Sequence, residues 1–220
     1  MESNAAARAR EIERRLTVRH GPASKPRLDP LEELILTILS QNTTDRNRDR
    51  AWHALRAEFP SWETVLRAPR ARLEATIRAA GLASRKARAI QRALRRLADE
   101  VGAPSLDHLA EMEDEEALGY LTGFSGVGLK TAACVLCFSL GRALLPVDTH
   151  VHRVTRRLGL ISADASRDAA YRSLNRTVPP EVRFSLHVQL IRHGRTICTA
   201  ARPACRRCAL EELCPKVGLP

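Results

Sequence analysis

Phenylalanine, tyrosine and tryptophan together supply only 4% of this 220-residue chain. Proteins that hold single strands by stacking bases on aromatic platforms need more of them, so that class is disfavoured. Lysine is scarce too: Lys25, Lys86, Lys130 and Lys216 stand against thirty-two arginines. The longest apolar runs fall well short of the roughly 20 residues that cross a bilayer, so no membrane association is expected. No stretch alternates like a half-buried strand, and no low-complexity linker or long repeat interrupts the chain. The first ten residues are polar and rich in Arg and Ala, with no apolar segment for export. A cytoplasmic protein is expected, in a compartment where disulfides are disfavoured.

What the chain has in excess is positive charge. Its formal net charge is +11 and its pI about 10.2, a balance that favours a polyanionic partner, nucleic acid being the usual one. The basic residues are spread along the chain, with denser stretches at 46–50, 85–96 and 153–157. A folded surface rather than a tail therefore carries the charge, and with few aromatics it suits duplex DNA held by its phosphates.

The periodicity is helical. Asp29-Pro30-Leu31-Glu32 reads as an N-cap acid, a proline at the first helical position and a glutamate three residues after the cap, followed by Leu34, Ile35, Ile38 and Leu39 at helical spacing. Further helical patterns cover 46–58, 69–80, 84–100, 115–122, 130–140, 149–158 and 165–178, joined by short Gly- and Pro-rich turns. The expectation is an all-α monomer of two lobes. Residues 31–140 form a helical bundle, and residues 141–220 form a second lobe with an N-terminal helix at 5–18.

Four cysteines, Cys198, Cys205, Cys208 and Cys214, are spaced C-x6-C-x2-C-x5-C with Pro215 directly after the last. Structural zinc sites usually draw two close pairs of ligands, and here only Cys205 and Cys208 form one. A 4Fe-4S cube tolerates unequal gaps in one loop and often has proline after its final cysteine, so the spacing points to iron-sulfur. Cys134 and Cys137 lie in the apolar run 131–140 and read as core.

Gly126-Val127-Gly128 makes a tight turn into a helix N-terminus, where outward N–H groups and the helix dipole can hold a phosphate without reading a base. A plain helix-helix turn has the same sequence. Two residues on stands Lys130. In a chain that uses arginine wherever charge suffices, a lysine here suggests an amine that must lose its proton and attack carbon. An unperturbed lysine is neutral only about once in 2500 at neutral pH, so the helix terminus, desolvation and nearby cations would have to lower its pKa. An ordinary exposed helix lysine is the alternative, and Lys86 is a second candidate amine. In Val147-Asp148-Thr149-His150, Asp148 stands at an N-cap position, a role compatible with facing a developing positive charge. His150 and His152, just beyond, could be ligands or bases, but flanking Arg153 favours phosphate contact or plain solvation, and His150 and Arg153 are taken as DNA contacts.

Taken in order, Leu39-Ser-Gln-Asn-Thr-Thr-Asp45, Gly81-Leu-Ala-Ser-Arg-Lys86, Gly126-Val-Gly-Leu-Lys-Thr-Ala132, Val147-Asp-Thr-His150 and His193-Gly-Arg195 before the cysteine loop resemble the endonuclease III family of helix-hairpin-helix DNA glycosylases. The resemblance covers about Leu31 to Cys214. It implies a six-helix barrel domain at 31–140 with the hairpin at about 115–135, a 4Fe-4S cluster domain from 1–30 and 141–220 with its loop at 198–214, and a cleft between them. It also implies a bifunctional glycosylase and abasic-site lyase that removes oxidised pyrimidines from damaged double-stranded DNA. Lys130 would be the nucleophile on C1′, Asp148 its acidic partner, and Leu82 an intercalating wedge.

The cluster would be structural, with Arg206 and Arg207 offered to phosphate or offsetting cluster charge. Two departures stand out. Asn42 occupies the position of the family's glutamine plug, with Gln41 just before it, and Phe124-Ser125 replaces the hairpin's common Leu-Pro. A DNA-damage-binding or lyase-only scaffold is therefore an alternative, a mismatch adenine glycosylase a less favoured one, and a zinc-dependent transcription factor a remote one.

Overall fold

The computed structural model describes residues 4–24 and 28–219, and every regular element among them is helical. In chain order these are α1 (Asn4–His20), α2 (Pro30–Ser40), α3 (Asp45–Glu58), α4 (Trp62–Arg67), α5 (Arg70–Thr76), α6 (Ala83–Val101), α7 (Asp114–Thr122), α8 (Leu129–Ser139), α9 (Thr149–Arg157), α10 (Arg167–Thr177) and α11 (Pro180–Thr196). Short 3-10 turns lie at Arg78–Ala80, Asp107–Ala110, Cys205–Arg207 and Glu211–Leu213.

Local chemistry sets the helix starts. Asp29 Oδ1 accepts from the N–H groups of Leu31 and Glu32, both at 2.9 Å, and Pro30 opens α2. Thr44, Ser61 and Ser166 cap α3, α4 and α10 in the same way, each contributing about 1 kcal/mol. Glu32 completes no capping box, and its carboxylate lies 3.4 Å from Arg56. The stretch expected as one helix at 69–80 breaks after Thr76 into the 3-10 turn Arg78–Ala80, and the chain reverses at Gly81 and Leu82, both at positive φ.

Two helices had no counterpart in the sequence reading, α4 and α11. Pro179-Pro180 looks like a turn, yet Pro180 is the first residue of a 17-residue helix. Its buried side includes His187, Gln189 and His193 beside Leu186 and Leu190, so polar residues mask the apolar stripe.

The chain divides into two compact units, Pro26–Arg142 and Met1–Lys25 with Ala143–Pro220. In the first, α2 is central and packs against α8, α3 and α6, with Leu31, Leu34, Ile35, Ile38 and Leu39 all buried. Residues 131–137 of α8 are buried throughout, Cys134 and Cys137 among them, as their apolar setting suggested. In the second, α1 packs on α11 and α11 on α9. Gln189 Nε2 donates to Thr17 Oγ1 at 3.2 Å and to the Gly21 carbonyl at 2.7 Å, and Arg8 Nη2 reaches the Leu213 carbonyl at 2.9 Å. The first helix is thereby tied to the last third of the chain.

Candidate nucleic-acid interface and thiol centre

In the unit Pro26–Arg142, α7 and α8 are joined by a β-turn closed by Val127 N–H to the Phe124 carbonyl at 3.0 Å. Gly126 sits at φ 85°, where a side chain would be strained. Phe124 and Val127 point inward and are 3% and 6% exposed. The Arg96 guanidinium lies 4.3 Å from the Phe124 ring centroid, and Tyr120 meets that ring edge-on at 5.4 Å. Arg96 Nε and Tyr120 Oη both reach the Glu100 carboxylate, at 2.7 and 2.8 Å. A Cβ on Gly123 would come within 2.9 Å of Arg96 Nη1, so glycine leaves room for the guanidinium to cross. The hairpin is thus clamped by an aromatic and a cation where the resemblance expected Leu-Pro.

Gly128 ends the turn at the head of α8 without any side-chain cap, the kind of helix start that can seat an external anion. Lys130 is the second residue of α8 and is half-buried.

Two further loops belong to the same unit. Gln41 Nε2 donates to the Gly126 carbonyl at 3.1 Å, tying the segment after α2 to the hairpin. Next to it Asn42 is exposed at φ 50°. Leu82, at φ 49°, is 53% exposed, an unusual backbone and an unusual exposure for leucine.

Lys86 is buried, with Nζ donating to the Leu39 carbonyl at 2.7 Å and the Ala80 carbonyl at 2.8 Å. The Ala80 carbonyl directly precedes the Gly81–Leu82 segment, and the Leu39 carbonyl lies one residue before the Gln41–Asn42 segment. Burial pulls its amine down to about 8. Lys86, considered above as a second candidate nucleophile, has its amine committed to bracing two loops. Of the other lysines, Lys216 pairs with Glu211 at 3.2 Å, and Lys25 lies outside the described residues.

Glu33 on α2 was missed. It is 7% exposed, accepts from Thr37 Oγ1 at 3.0 Å, and lies within the electrostatic reach of Lys130 and Arg48. Burial pushes its carboxyl up to about 7, against the pull of the Thr37 hydroxyl and the two cations. A glutamate and a threonine four residues apart within the stripe of Leu34, Ile35 and Ile38 could have signalled it.

In the other unit Asp148 caps α9, its Oδ1 accepting from Val151 N–H at 2.7 Å. His150 Nδ1 lies 3.0 Å from Arg153 Nη2. Arg153 also donates through Nε to the Cys198 carbonyl at 3.1 Å and through Nη2 to the Gly194 carbonyl at 2.8 Å. Arg153, half-buried, thereby fastens α9 to the end of α11. Close approach makes this possible, since a Cβ on Gly194 would lie 3.0 Å from that of His150. Arg206 and Arg207 are exposed on the 3-10 turn Cys205–Arg207, with no acid paired to either among the described residues.

Cys198, Cys205, Cys208 and Cys214 line one cavity together with Val154, Arg157, Leu158, His193, Ile197 and Leu210. Among the described residues no three His, Cys, Asp or Glu side chains converge closely enough to hold a single ion. Zinc needs its sulfur ligands about 2.3 Å from one point, so thiols set around a shared space suit a larger group better. Donors already point at sulfur: Arg157 Nη1 lies 3.3 Å from Cys198 Sγ, and Leu210 N–H lies 3.4 Å from Cys208 Sγ. Arg157, 4% exposed, also donates to the carbonyls of Thr199 and Ala200 at 2.7 and 2.9 Å, drawing the start of the loop around its buried charge. Burial pushes the thiols of Cys208 and Cys214 up, so a bound metal would have to displace their protons.

Helices, a clamped glycine hairpin at an uncapped helix start and a four-thiol loop define a helix-hairpin-helix protein. The description of the HhH-GPD superfamily of base excision DNA repair proteins matches residues 35–180. The chain belongs to that superfamily and, within it, to the endonuclease III family. It is 33% identical to an endonuclease III of Synechocystis over 84% of this chain and 81% of that one. With an endonuclease III of Thermotoga maritima it shares 31% identity over 94% of this chain and 90% of that one. A protein of Arabidopsis thaliana whose name proposes a DNA glycosylase is 40% identical over 86% of this chain, which spans 65% of that relative's length. Among solved structures, an endonuclease III trapped as a covalent intermediate with DNA superposes with a TM-score of 0.82 at 28% identity, covering 98% of this chain and 97% of that one. No helix among the described residues is long and apolar enough to cross a membrane.

Proposed function

We propose that this protein is a bifunctional DNA glycosylase and abasic-site lyase that removes oxidised pyrimidines from duplex DNA. The observation that carries this reading is Lys130 in the first turn of α8, directly after a clamped glycine hairpin that opens the helix without a side-chain cap, where a phosphate can be seated. A primary amine held next to a seated backbone is placed to reach sugar carbon. Lys130 attacks C1′ and displaces the damaged base, and the resulting Schiff base permits β-elimination of the 3′ phosphate. Asp148 stabilises the positive charge that develops at the sugar while its other task is to cap α9. Leu82, exposed and held in a strained conformation, is the wedge that fills the kinked stack, and Gln41 and Asn42 attend the space left by the extruded base. Exposed Arg206 and Arg207 contribute phosphate contacts.

The four cysteines would hold a 4Fe-4S cluster, whose contribution is to fix the 198–214 loop. Around it, Arg157 offsets the charge of the thiolates, and Leu210 N–H supplies a hydrogen bond to sulfur.

One observation favours a second reading, a lyase or damage-binding protein with little base removal. Gln41 is committed to the Gly126 carbonyl, and the plug position holds Asn42. Borohydride trapping separates the two. Duplexes bearing thymine glycol or an abasic site are incubated with wild type and with Lys130→Gln. Covalent adducts on both substrates, lost in the variant, are the expected result. Trapping at the abasic site alone selects the second reading, and trapping that persists in Lys130→Gln refutes the assignment of the nucleophile.

A further inference from the structure

The helix that follows the Leu82 wedge carries a feature that the assignments above leave unused. On α6 the inward face consists of Lys86, Ala87, Ile90, Gln91, Ala93, Leu94 and Leu97, all buried. On the opposite face Arg85, Arg88, Arg92 and Arg95 are all exposed, at successive spacings of three, four and three residues, which is one continuous helical stripe. Elsewhere the chain pairs many of its surface arginines. Arg14 and Arg15 pair with Glu11, Arg48 with Asp45 and Asp49, Arg72 with Glu58, and Arg142 with Asp114. None of the four stripe arginines has an ion pair or side-chain hydrogen bond among the described residues. Of the nearby acids, Glu100 is taken by Arg96 and Tyr120, and Asp99, exposed four residues after Arg95, forms no ion pair with it among the described residues. Like charges at this spacing repel and weaken a helix, so an unrelieved row of them calls for a partner that supplies the negative charge.

We propose that the Arg85–Arg88–Arg92–Arg95 ridge is a second phosphate track, which binds the sugar-phosphate backbone of the same duplex beyond the nucleotides gripped by the hairpin. Two observations fix the occupant. The ridge begins three residues after Leu82, and the flank of α6 passes the hairpin, Ala89 Cβ lying 3.8 Å from where a Cβ on Gly126 would stand. The wedge, the hairpin and the ridge therefore share one side of one compact unit. The lengths are compatible: ten residues of helix rise about 15 Å, while successive phosphates of one B-DNA strand, which winds as it climbs, lie roughly 7 Å apart, so the ridge reaches about three phosphates. Guanidinium groups suit this role because they engage phosphate oxygens through two donors at once. The ridge reads no base, so it lengthens the footprint and adds affinity without altering lesion choice.

This inference rests on the proposed action on duplex DNA, and the test keeps the two apart. Arg88, Arg92 and Arg95 are replaced together by Gln in the full-length protein, leaving Arg85 beside the wedge untouched. As a charge-matched control, Arg167, Arg172 and Arg176, exposed on α10, are replaced by Gln. Affinity for a duplex with a non-cleavable abasic analogue is measured across a salt series, and borohydride trapping at a true abasic site is measured with saturating protein. The expected result is that the ridge variant loses about 2.7 from the magnitude of the log-log salt slope, about 0.9 for each phosphate contact removed. The control is expected to lose less than about one in the same comparison. Trapping persists in both variants at saturation. An unchanged slope in the ridge variant, or an equal loss in the control, overturns the ridge while leaving the lyase intact. Absence of trapping in wild type overturns the function itself.

Discussion

At the scale of single residues, the buried polar groups of the first unit make the sharpest predictions. Glu33 titrates near 7 in the folded protein against an ordinary 4.5. As pH rises the unfolded chain gives up this proton first, so the native state binds more protons between those values. The contribution to stability is full below about pH 4.5 and falls as pH approaches 7, by on the order of 3 kcal/mol as a ceiling. Glu33→Gln keeps an acceptor for Thr37 without the charge. It is expected to melt within a degree or two of wild type near pH 5 and several degrees higher near pH 8, as thermal denaturation at the two pH values would show. An equal shift at both would mean that the carboxylate is not strained by burial.

Lys86→Met strands two buried carbonyls and is expected to cost about 2–4 kcal/mol in denaturant unfolding. Below its melting temperature it is still expected to trap abasic DNA with borohydride, because its amine braces loops rather than attacking sugar. Loss of trapping in a folded Lys86→Met protein would make it a reacting group.

At the scale of elements, the hairpin depends on packing rather than on a rigid Leu-Pro dipeptide. Phe124 is held between Arg96 and Tyr120, with Glu100 closing the set. Phe124→Ala removes the side chain that seats the turn and is expected to cost about 3 kcal/mol of stability. It should also raise hydrogen exchange at Val127 N–H, which closes the turn. Duplex affinity is expected to fall more than the single-turnover rate at saturating protein. A reduced rate with unchanged affinity would show that the hairpin positions the lysine but does not seat the phosphate.

At the scale of the whole molecule, the net charge of +11 and the thiol centre have separate consequences. Duplex binding is expected to weaken steeply with salt, because each neutralised phosphate releases counterions. Cys205→Ser is expected to lose the broad absorbance near about 400 nm that a 4Fe-4S cluster gives, and to lower the yield of soluble protein. A variant that folds normally without iron would show that the loop needs no cluster. Arg157 links this centre to helix α9, since it donates both to Cys198 Sγ and to the carbonyls of Thr199 and Ala200.

The sequence by itself determined the helical class, the start of α2 at Asp29, the glycine turn before Lys130, the N-cap position of Asp148, the core placement of Cys134 and Cys137, and the cysteine spacing. Each is written locally, in period, capping chemistry or the need for positive φ, and needs no distant partner. Tertiary structure decided the rest. Helix α11 was hidden because its buried face carries His187, Gln189 and His193, which only partners distant in sequence can satisfy: His187 meets the Pro146 carbonyl, and Gln189 meets Thr17 and Gly21.

Lys86 and Arg153 carry the same charge as their solvent-facing neighbours, and nothing in their types announced that carbonyls of Leu39, Ala80, Cys198 and Gly194 would claim them. Glu33 became a perturbed acid only when α8 and α3 packed on α2 and closed its helix face to water, against the opposing pull of Lys130 and Arg48. The spacing of arginines on α6 was legible from the start, but their freedom from acidic partners was not. Whether a charge is paired depends on what the fold sets beside it.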